Sequence, residues 1–436
     1  MHTSTENSSI GILGGGIMGC CLALALSQRG YVVDLFDMAD RPMTGASLHN
    51  EGKLHLGYVY AKDPYDKTYL SMIRGSLLFG RSIQELTGVD PVSLAISTPF
   101  QYIVPRDSQM TLDAVATHFE QVDAAIRTHS ADTRALYFGR RIASSRMNDP
   151  VISEAVFPKR SILGSFTTDE ISVSPDIVAE RLTAAINREK KIRFRGRTHI
   201  RSVSRLSSGK SEVEVFADGK NTRHRFECVV NCLWGDKIRI DRTAGILSDV
   251  PVLVRYKAAI RIRTTDPRFH DLPSVTAILG SYGDLVNFGS GDFYLSWYPL
   301  CKLAEAVNGD MEDMARMLAS SGTIDISNLS PYPDRYPGMQ ISGALQEEFV
   351  DRSILAMSDL VPGLKGLIGN KSSFAIGGGI ILAKGNTDIS DPESQLHQRS
   401  QTGPVAYGSY ITVDTGKYCL APMHALDAAE MISAIM

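Results

Sequence analysis

The stretch Gly14-Gly15-Gly16-Ile17-Met18-Gly19 constrains the fold of this chain more than any other. It is a G-x-G-x-x-G turn between an apolar run, Ser9 to Leu13, and a second uncharged run, Gly16 to Gln28, which Gly30 ends. The first run predicts a buried strand, the second a helix, and the valine-rich Tyr31 to Phe36 a further strand. In such a unit Gly14 permits the tight turn, Gly16 lets the backbone approach a pyrophosphate, and Gly19 lets the helix pack closely on the strand. Ile17 and Met18 open the helix, whose N-terminus faces the phosphates. Asp37 ends the second strand, where a carboxylate can accept hydrogen bonds from a ribose. The bland alternative is a glycine-rich turn beside a solvated acid, and the complete order of strand, turn, helix, strand and acid argues against it.

The charge-free stretch Ile10 to Leu26 superficially suggests a signal peptide or a membrane span. It is glycine-rich, no Lys or Arg precedes it, and it falls short of the about 20 residues a span requires. A buried strand plus helix explains it better. A chain of 436 residues, 43% hydrophobic and 21% charged, exceeds the usual size of one core and implies two domains. Its 45 basic and 48 acidic residues leave a formal net charge of -3, hence no global field for nucleic acid or anionic lipid. Small molecules are the expected partners, with no nucleic acid and no integral membrane span. The six cysteines follow no zinc-ligand spacing and are too sparse for a disulfide framework. No metal site is expected, and a reducing, cytoplasmic setting is. Cys20 and Cys21 fall inside the first helix, where burial as packing is the simplest reading.

Further along, Pro175 to Asn187 predicts an amphipathic helix, followed by strands at Lys191 to Phe194 and Ile200 to Leu206. Ser211 to Phe216, the turn Asp218-Gly219, and Phe226 to Asn231 predict a hairpin leading into a buried strand. Val252 to Arg263 and Phe293 to Trp297 predict antiparallel strands of a second domain, and a last helix is expected from near Tyr418 to Ile435. No repeat or low-complexity linker parts the two domains, so the chain should cross between them several times.

The glycine turn alone does not separate FAD from NAD. The segment Gly45-Ala46-Ser47-Leu48-His49-Asn50-Glu51-Gly52-Lys53-Leu54-His55-Leu56-Gly57 holds an Asn-x-Gly-x-x-His-x-Gly pattern. It resembles the flavin-side loop of the D-amino-acid oxidase superfamily, most nearly the L-2-hydroxyglutarate oxidase and glycerol-3-phosphate dehydrogenase branches. Glu170-Ile171-Ser172-Val173-Ser174-Pro175 resembles the family segment before the helix that rejoins the flavin domain, and Ile200 falls at an adenine-side aliphatic position. Val229-Val230-Asn231-Cys232 is similar to a strand that in the family ends in an Ala-Gly or Thr-Gly turn, although Leu233-Trp234-Gly235 follows here. Tyr410 to Tyr418 resembles the Gly-Lys element of the glycerol-3-phosphate dehydrogenase group. Gly377 to Lys384 corresponds to that group's Gly-Val-Arg-Pro element and has no Arg.

The resemblance implies an α/β fold in which a Rossmann-like FAD-binding domain (1–90, 150–247 and 355–436) carries an inserted antiparallel-sheet substrate domain (91–149 and 248–354). It implies noncovalent FAD, contacted by Gly14, Gly16, Ile17, Met18, Gly19, Asp37, Ser47, Asn50, Gly52, Lys53, Leu54, Ile200, Cys232, Gly379, Thr415, Gly416 and Lys417. The implied activity is that of an oxidoreductase passing hydride from a small 2-hydroxy acid, amino acid or related polyol derivative to flavin N5. The alternative from another class is an FAD-binding protein without turnover, in a sensor or assembly role.

Three residues are expected to carry the chemistry. His55 is either the base that a hydroxyl donor needs or a histidine that only packs on the flavin. Lys417, beside a helix N-terminus, would stabilise the negative charge of reduced flavin at N1 and O2. Arg399 matches a basic position used for substrate anions in the glycerol-3-phosphate group. Lys257, Arg261, Tyr294 and Tyr298 lie on the second-domain sheet as substrate contacts or as ordinary edge and core residues. His49 reads as structural, and nothing in the chain specifies the electron acceptor.

Overall fold

The computed structural model describes residues 10–63, 67–94, 96–130, 137–248, 250–320, 343–369 and 372–436. The chain is α/β. One sheet of six strands runs in the order Gly403–Tyr407, Tyr410–Asp414, Cys228–Asn231, Ile10–Leu13, Val33–Phe36 and Ile192–Arg195. Its pairings are parallel except at the Gly403–Tyr407 edge. Ser9 of the expected first strand lies outside the described residues, and the second strand starts at Val33 rather than Tyr31.

Between the first two strands lies the helix Ile17–Gln28, buried along its length up to Ser27. A helix apolar on every face needs cover on every face. The helices Pro175–Arg188, Lys67–Thr87 and Ala421–Ile435 pack around this one and supply that cover. Cys20 and Cys21 are fully buried in it. Gly19 is obligatory here, because a Cβ would overlap the Gly14 carbonyl oxygen.

Lys220–Phe226, which the sequence pattern did not mark as a strand, pairs with Ser211–Ala217 as the free edge of a three-stranded sheet. Its charges explain both the omission and the structure. Arg225 pairs with Glu212 at 2.7 Å across the ladder, and charged side chains suit a solvent-facing edge.

The largest sheet has nine strands and is antiparallel except where Ser274–Ala277 meets Phe100–Pro105. Its spine, Val252–Thr264, pairs along its full length with Ser372–Lys384. That strand and Ile162–Thr167 fall within the ranges expected for the FAD-binding part, yet both pair in this sheet. One face of the sheet packs on the loop that follows the glycine turn. Gly379 sits against Ala46 and Gly377 against the His49 ring, an approach that only residues without a Cβ allow. Arg261 of the spine fastens the loop by donating to the Leu48 and Asn50 carbonyls at 3.4 and 3.2 Å. The last helix begins at Ala421, after a 3-10 turn at Tyr418–Leu420.

Candidate active site

Between the six-stranded and nine-stranded sheets lies a cleft of about 1540 Å³, its open mouth included. Its walls include Gly14, Gly16, Ile17, Met18, Asp37, Ser47, Asn50, Lys53, His55, Ile200, Cys232, Gly379, Thr415, Gly416 and Lys417. The structure therefore brings most of the expected residues to one place. Gly19, Gly52, Leu54 and Arg399 are not in the lining.

The nucleotide end is built from the glycine turn. A Cβ on Gly16 would meet only the Ser47 hydroxyl, at 3.0 Å, so the glycine leaves open space in front of the helix. Ser47 accepts from the Ile17 amide at 3.0 Å and ties the flavin-side loop to that helix start. Asp37 accepts from the Gly15 amide at 2.6 Å and the Ala39 amide at 2.8 Å, which fixes its carboxylate at the cleft. Burial raises its pKa, against the lowering effect of those amides. Thr198, His199 and Ile200 continue the wall beside it, the Thr198 amide donating to the Asp37 carbonyl at 2.9 Å. An open helix N-terminus, a close-approach glycine and a fixed carboxylate fit a dinucleotide.

The loop's shape comes from Asn50, whose amide donates to the Ala46 and Ser47 carbonyls at 2.9 Å each and whose oxygen accepts from the Gly52 amide at 2.7 Å. Gly52 has φ +64 and touches the Val173 carbonyl, so it acts on loop geometry rather than in the lining. Leu54 is fully buried core, its carbonyl accepting from Tyr137. Lys53 reaches the lining, but its ammonium is committed to Glu170 at 3.2 Å, Asp284 at 3.7 Å and the Thr276 hydroxyl. It also lies 3.9 Å from the Phe100 ring centroid. Burial pushes the Asp284 carboxyl up, and Lys53 and Lys257 outweigh that to hold it below the usual range. Glu170, fully buried, also accepts from the Leu56 amide at 2.5 Å and from Tyr102. Glu170 was visible in the sequence as part of a motif, but nothing there paired it with Lys53.

A second group of polar side chains, His55, Glu51, Lys257, Tyr294 and Lys417, also lines the cleft. Burial, then Lys417, Lys53 and Arg399, push His55 well below the ordinary histidine pKa and disfavour the imidazolium. Its Nδ1 has no hydrogen-bond partner, and its carbonyl accepts from Ser76 at 2.7 Å. Burial and then Arg399 lower the Lys417 pKa to about 8, with Glu51 acting in the other direction. Lys417 follows Gly416, whose φ of +66 and bond to Asp414 turn the chain out of the strand Tyr410–Asp414 of the six-stranded sheet. Among the described residues neither Lys417 nor Lys257 has a hydrogen bond or ion pair from its ammonium.

Arg399 has a different place from the one expected. It is 6% exposed, donates to the Leu396 carbonyl at 3.0 Å and to the Leu382 carbonyl, and so satisfies backbone rather than facing the cleft. Arg261 and Tyr298 likewise have structural partners: Tyr298 donates to Asp388 at 2.5 Å and accepts from Arg255 at 2.6 Å. Arg255 stands opposite Ile381 in the ladder, one strand over from the segment that lacks an Arg. His49 lines the cleft against Gly377. Trp234, in the divergent turn after Cys232, adopts φ +52, donates to the Ile380 carbonyl at 2.7 Å and forms part of the wall.

The profile of the FAD dependent oxidoreductase family, DAO, matches residues 9–320. The FAD-dependent monooxygenase FPY4 of Fusarium mangiferae is 36% identical over 115 residues, 25% of this chain and 29% of that relative's length. The chain thus matches less than a third of that protein. Among solved structures, glycine oxidase from Geobacillus kaustophilus superposes with a TM-score of 0.64 at 16% identity, covering 99% of this chain and 96% of that one. L-alpha-glycerophosphate oxidase from Mycoplasma pneumoniae, with FAD bound, gives 0.63 at 14% identity, covering 98% and 95%.

Proposed function

The chain belongs to the FAD dependent oxidoreductase family and its cofactor is FAD; from that premise we propose that it oxidises a small 2-hydroxy acid, amino acid or related polyol derivative. Bound FAD would supply a two-electron acceptor for hydride from the donor carbon. The observation that carries this reading is the pair of ammonium groups, Lys257 and Lys417, which line the cleft beside His55 with no hydrogen bond or ion pair within 4 Å among the described residues. Cations in a sheltered site favour an anionic donor, and Lys417 also favours added negative charge on the cofactor. His55 keeps a lone pair free to take the donor's O–H or N–H proton. Gly14, Gly16, Asp37, Ser47 and Ile200 would hold the nucleotide, and Asn50, Gly379, Thr415 and Lys417 the flavin.

On this reading the sheets divide the labour. The six-stranded sheet serves the nucleotide and the nine-stranded sheet covers the donor, so 162–167 and 372–384 go with the donor side. No helix among the described residues is long and apolar enough to cross a membrane. All six cysteines are free and buried, which supports a reducing, cytoplasmic location. The test is anaerobic mixing of the yellow protein with glycine and other amino acids, with lactate, and with glycerol 3-phosphate. Bleaching by at least one class supports the reading. A flavin that stays oxidised across the panel, in protein with full FAD, refutes it.

A further inference from the structure

Three neighbouring rings each carry a buried side-chain atom without a hydrogen-bond partner among the described residues. His55 Nδ1, the Tyr60 hydroxyl and His397 Nε2 are all shielded from solvent and make no hydrogen bond. Their residues are 5%, 2% and 7% exposed. The rings are in sequence: His55 meets Tyr60 edge-on with centroids 5.4 Å apart, and Tyr60 meets His397 at 6.2 Å. His55 lines the cleft, whereas Tyr60 and His397 lie behind it. Buried polar groups left unpaired are disfavoured, and three in a row are not what packing alone selects, since Phe and Leu would fill the same space.

Each comes from a different piece of chain. His55 follows the flavin-side loop, Tyr60 is on the 3-10 turn Tyr58–Tyr60, and His397 is on the 3-10 turn Gln395–His397. The row leads outward. Near His397 is Lys62, whose ammonium donates to Gln109 and to the Pro392 carbonyl at 2.9 Å each, at an exposed rim.

We propose that Tyr60 and His397 carry the proton taken up at His55 out of the cleft by this internal route, a proposal that rests on the oxidase or dehydrogenase reading above. The donor's C–H bond gives hydride, with both electrons, to FAD, and its O–H or N–H bond gives a proton to His55. His55 releases one proton toward the Tyr60 hydroxyl. Tyr60 passes its own proton on to His397 Nε2, and His397 yields one to water at the Lys62 rim. Each transfer runs directly or across a bridging water of the kind buried polar groups ordinarily hold. At the end each group holds as many protons as at the start, with both imidazoles in the opposite tautomer and the Tyr60 hydroxyl turned, and these return by reorientation before the next turnover.

The surroundings oppose storage of a proton, and each transfer has to proceed without a long-lived imidazolium. Burial, then Arg399, Lys417, Lys62 and Arg255, lower the His397 pKa to about 3, and Lys417, Lys53 and Arg399 act on His55 in the same sense. Both environments disfavour a second proton on the ring. A cleft whose mouth is closed by substrate would therefore still have an exit for the proton.

The test uses FAD-loaded full-length protein and the variants Tyr60→Phe and His397→Leu, with glycine, lactate and glycerol 3-phosphate as donors. Flavin reduction is followed anaerobically in H2O and D2O. Reduction should slow about tenfold or more in both variants, within the range general acid–base groups contribute, with a larger solvent isotope effect and unchanged KM. His397→Gln, which keeps hydrogen bonding but cannot take up and release a proton, should be as slow as His397→Leu. A second readout needs no turnover: in 15N-histidine NMR spectra of the donor-free protein, Tyr60→Phe should shift both the His55 and His397 resonances. Unchanged rates and isotope effects would overturn the proposal, as would a His397 resonance indifferent to Tyr60→Phe. If no donor reduces even the wild type, the functional reading fails instead, and the NMR coupling decides whether Tyr60 links the two histidines.

Discussion

Lys417→Met should make the protein more stable and a weaker oxidant. Lys417 is held near pKa 8 against an ordinary 10.5 because burial and Arg399 disfavour its charge. Its folded pKa is lower than its unfolded one, so between about pH 8 and 10.5 the unfolded chain binds more protons and stability rises with pH. At pH 7 the charge is present and lowers stability by about 2–3 kcal/mol, at about 1.4 kcal/mol per pKa unit with some relief from water in the cleft. Methionine keeps much of the stem and drops the charge. Urea titration of apoprotein at pH 7 should show the variant more stable by about 2 kcal/mol, the gain vanishing above about pH 10. With FAD bound, losing one nearby charge should lower the two-electron midpoint potential by about 20–45 mV, or about 1–2 kcal/mol. The wild-type potential should also show an inflection near pH 8 that the variant lacks. A fully loaded variant with wild-type potential would refute the electrostatic role, and a less stable apoprotein would refute the desolvation argument.

Gly16→Val should abolish FAD loading while leaving the apoprotein folded, because only the Ser47 hydroxyl stands near that position; FAD content and circular dichroism check both halves. Asp37→Ala should weaken FAD binding by about 1–3 kcal/mol, read by fluorescence titration. Glu170→Gln should destabilise the protein by about 3 kcal/mol in urea, since it leaves Lys53 buried with less compensation. Arg399→Leu should lower the melting temperature without selectively raising KM for anionic donors, as befits a side chain bonded to two carbonyls.

The parts of this protein that were legible in the sequence are those set by local pattern. The strand, turn and helix around Gly14 to Gly19 follow from periodicity and glycine placement, and the loop Asn50 to His55 from a contiguous motif. What escaped depends on which distant segments meet. The charged strand Lys220–Phe226 shows no apolar alternation because its partners are Glu212 and Glu214 across the ladder. Arg399 reads as a free cation until Leu382 and Leu396 are brought to it. Lys53 reads as a cofactor contact until the fold sets Glu170 and Asp284 beside it. Tyr60 and His397 are far apart along the chain, and only the meeting of two 3-10 turns gives them a common environment.

The central claim is that this cleft takes hydride from a carbon bearing an amine or hydroxyl. Its most direct measurement is single-turnover bleaching of the FAD-loaded protein, without oxygen, by a donor carrying protium or deuterium on that carbon. The account predicts loss of the yellow colour in step with one equivalent of oxidised donor, and a severalfold slower bleaching with deuterium. Bleaching at equal rates with both isotopes, or no bleaching by any amine or hydroxyl donor, would contradict it.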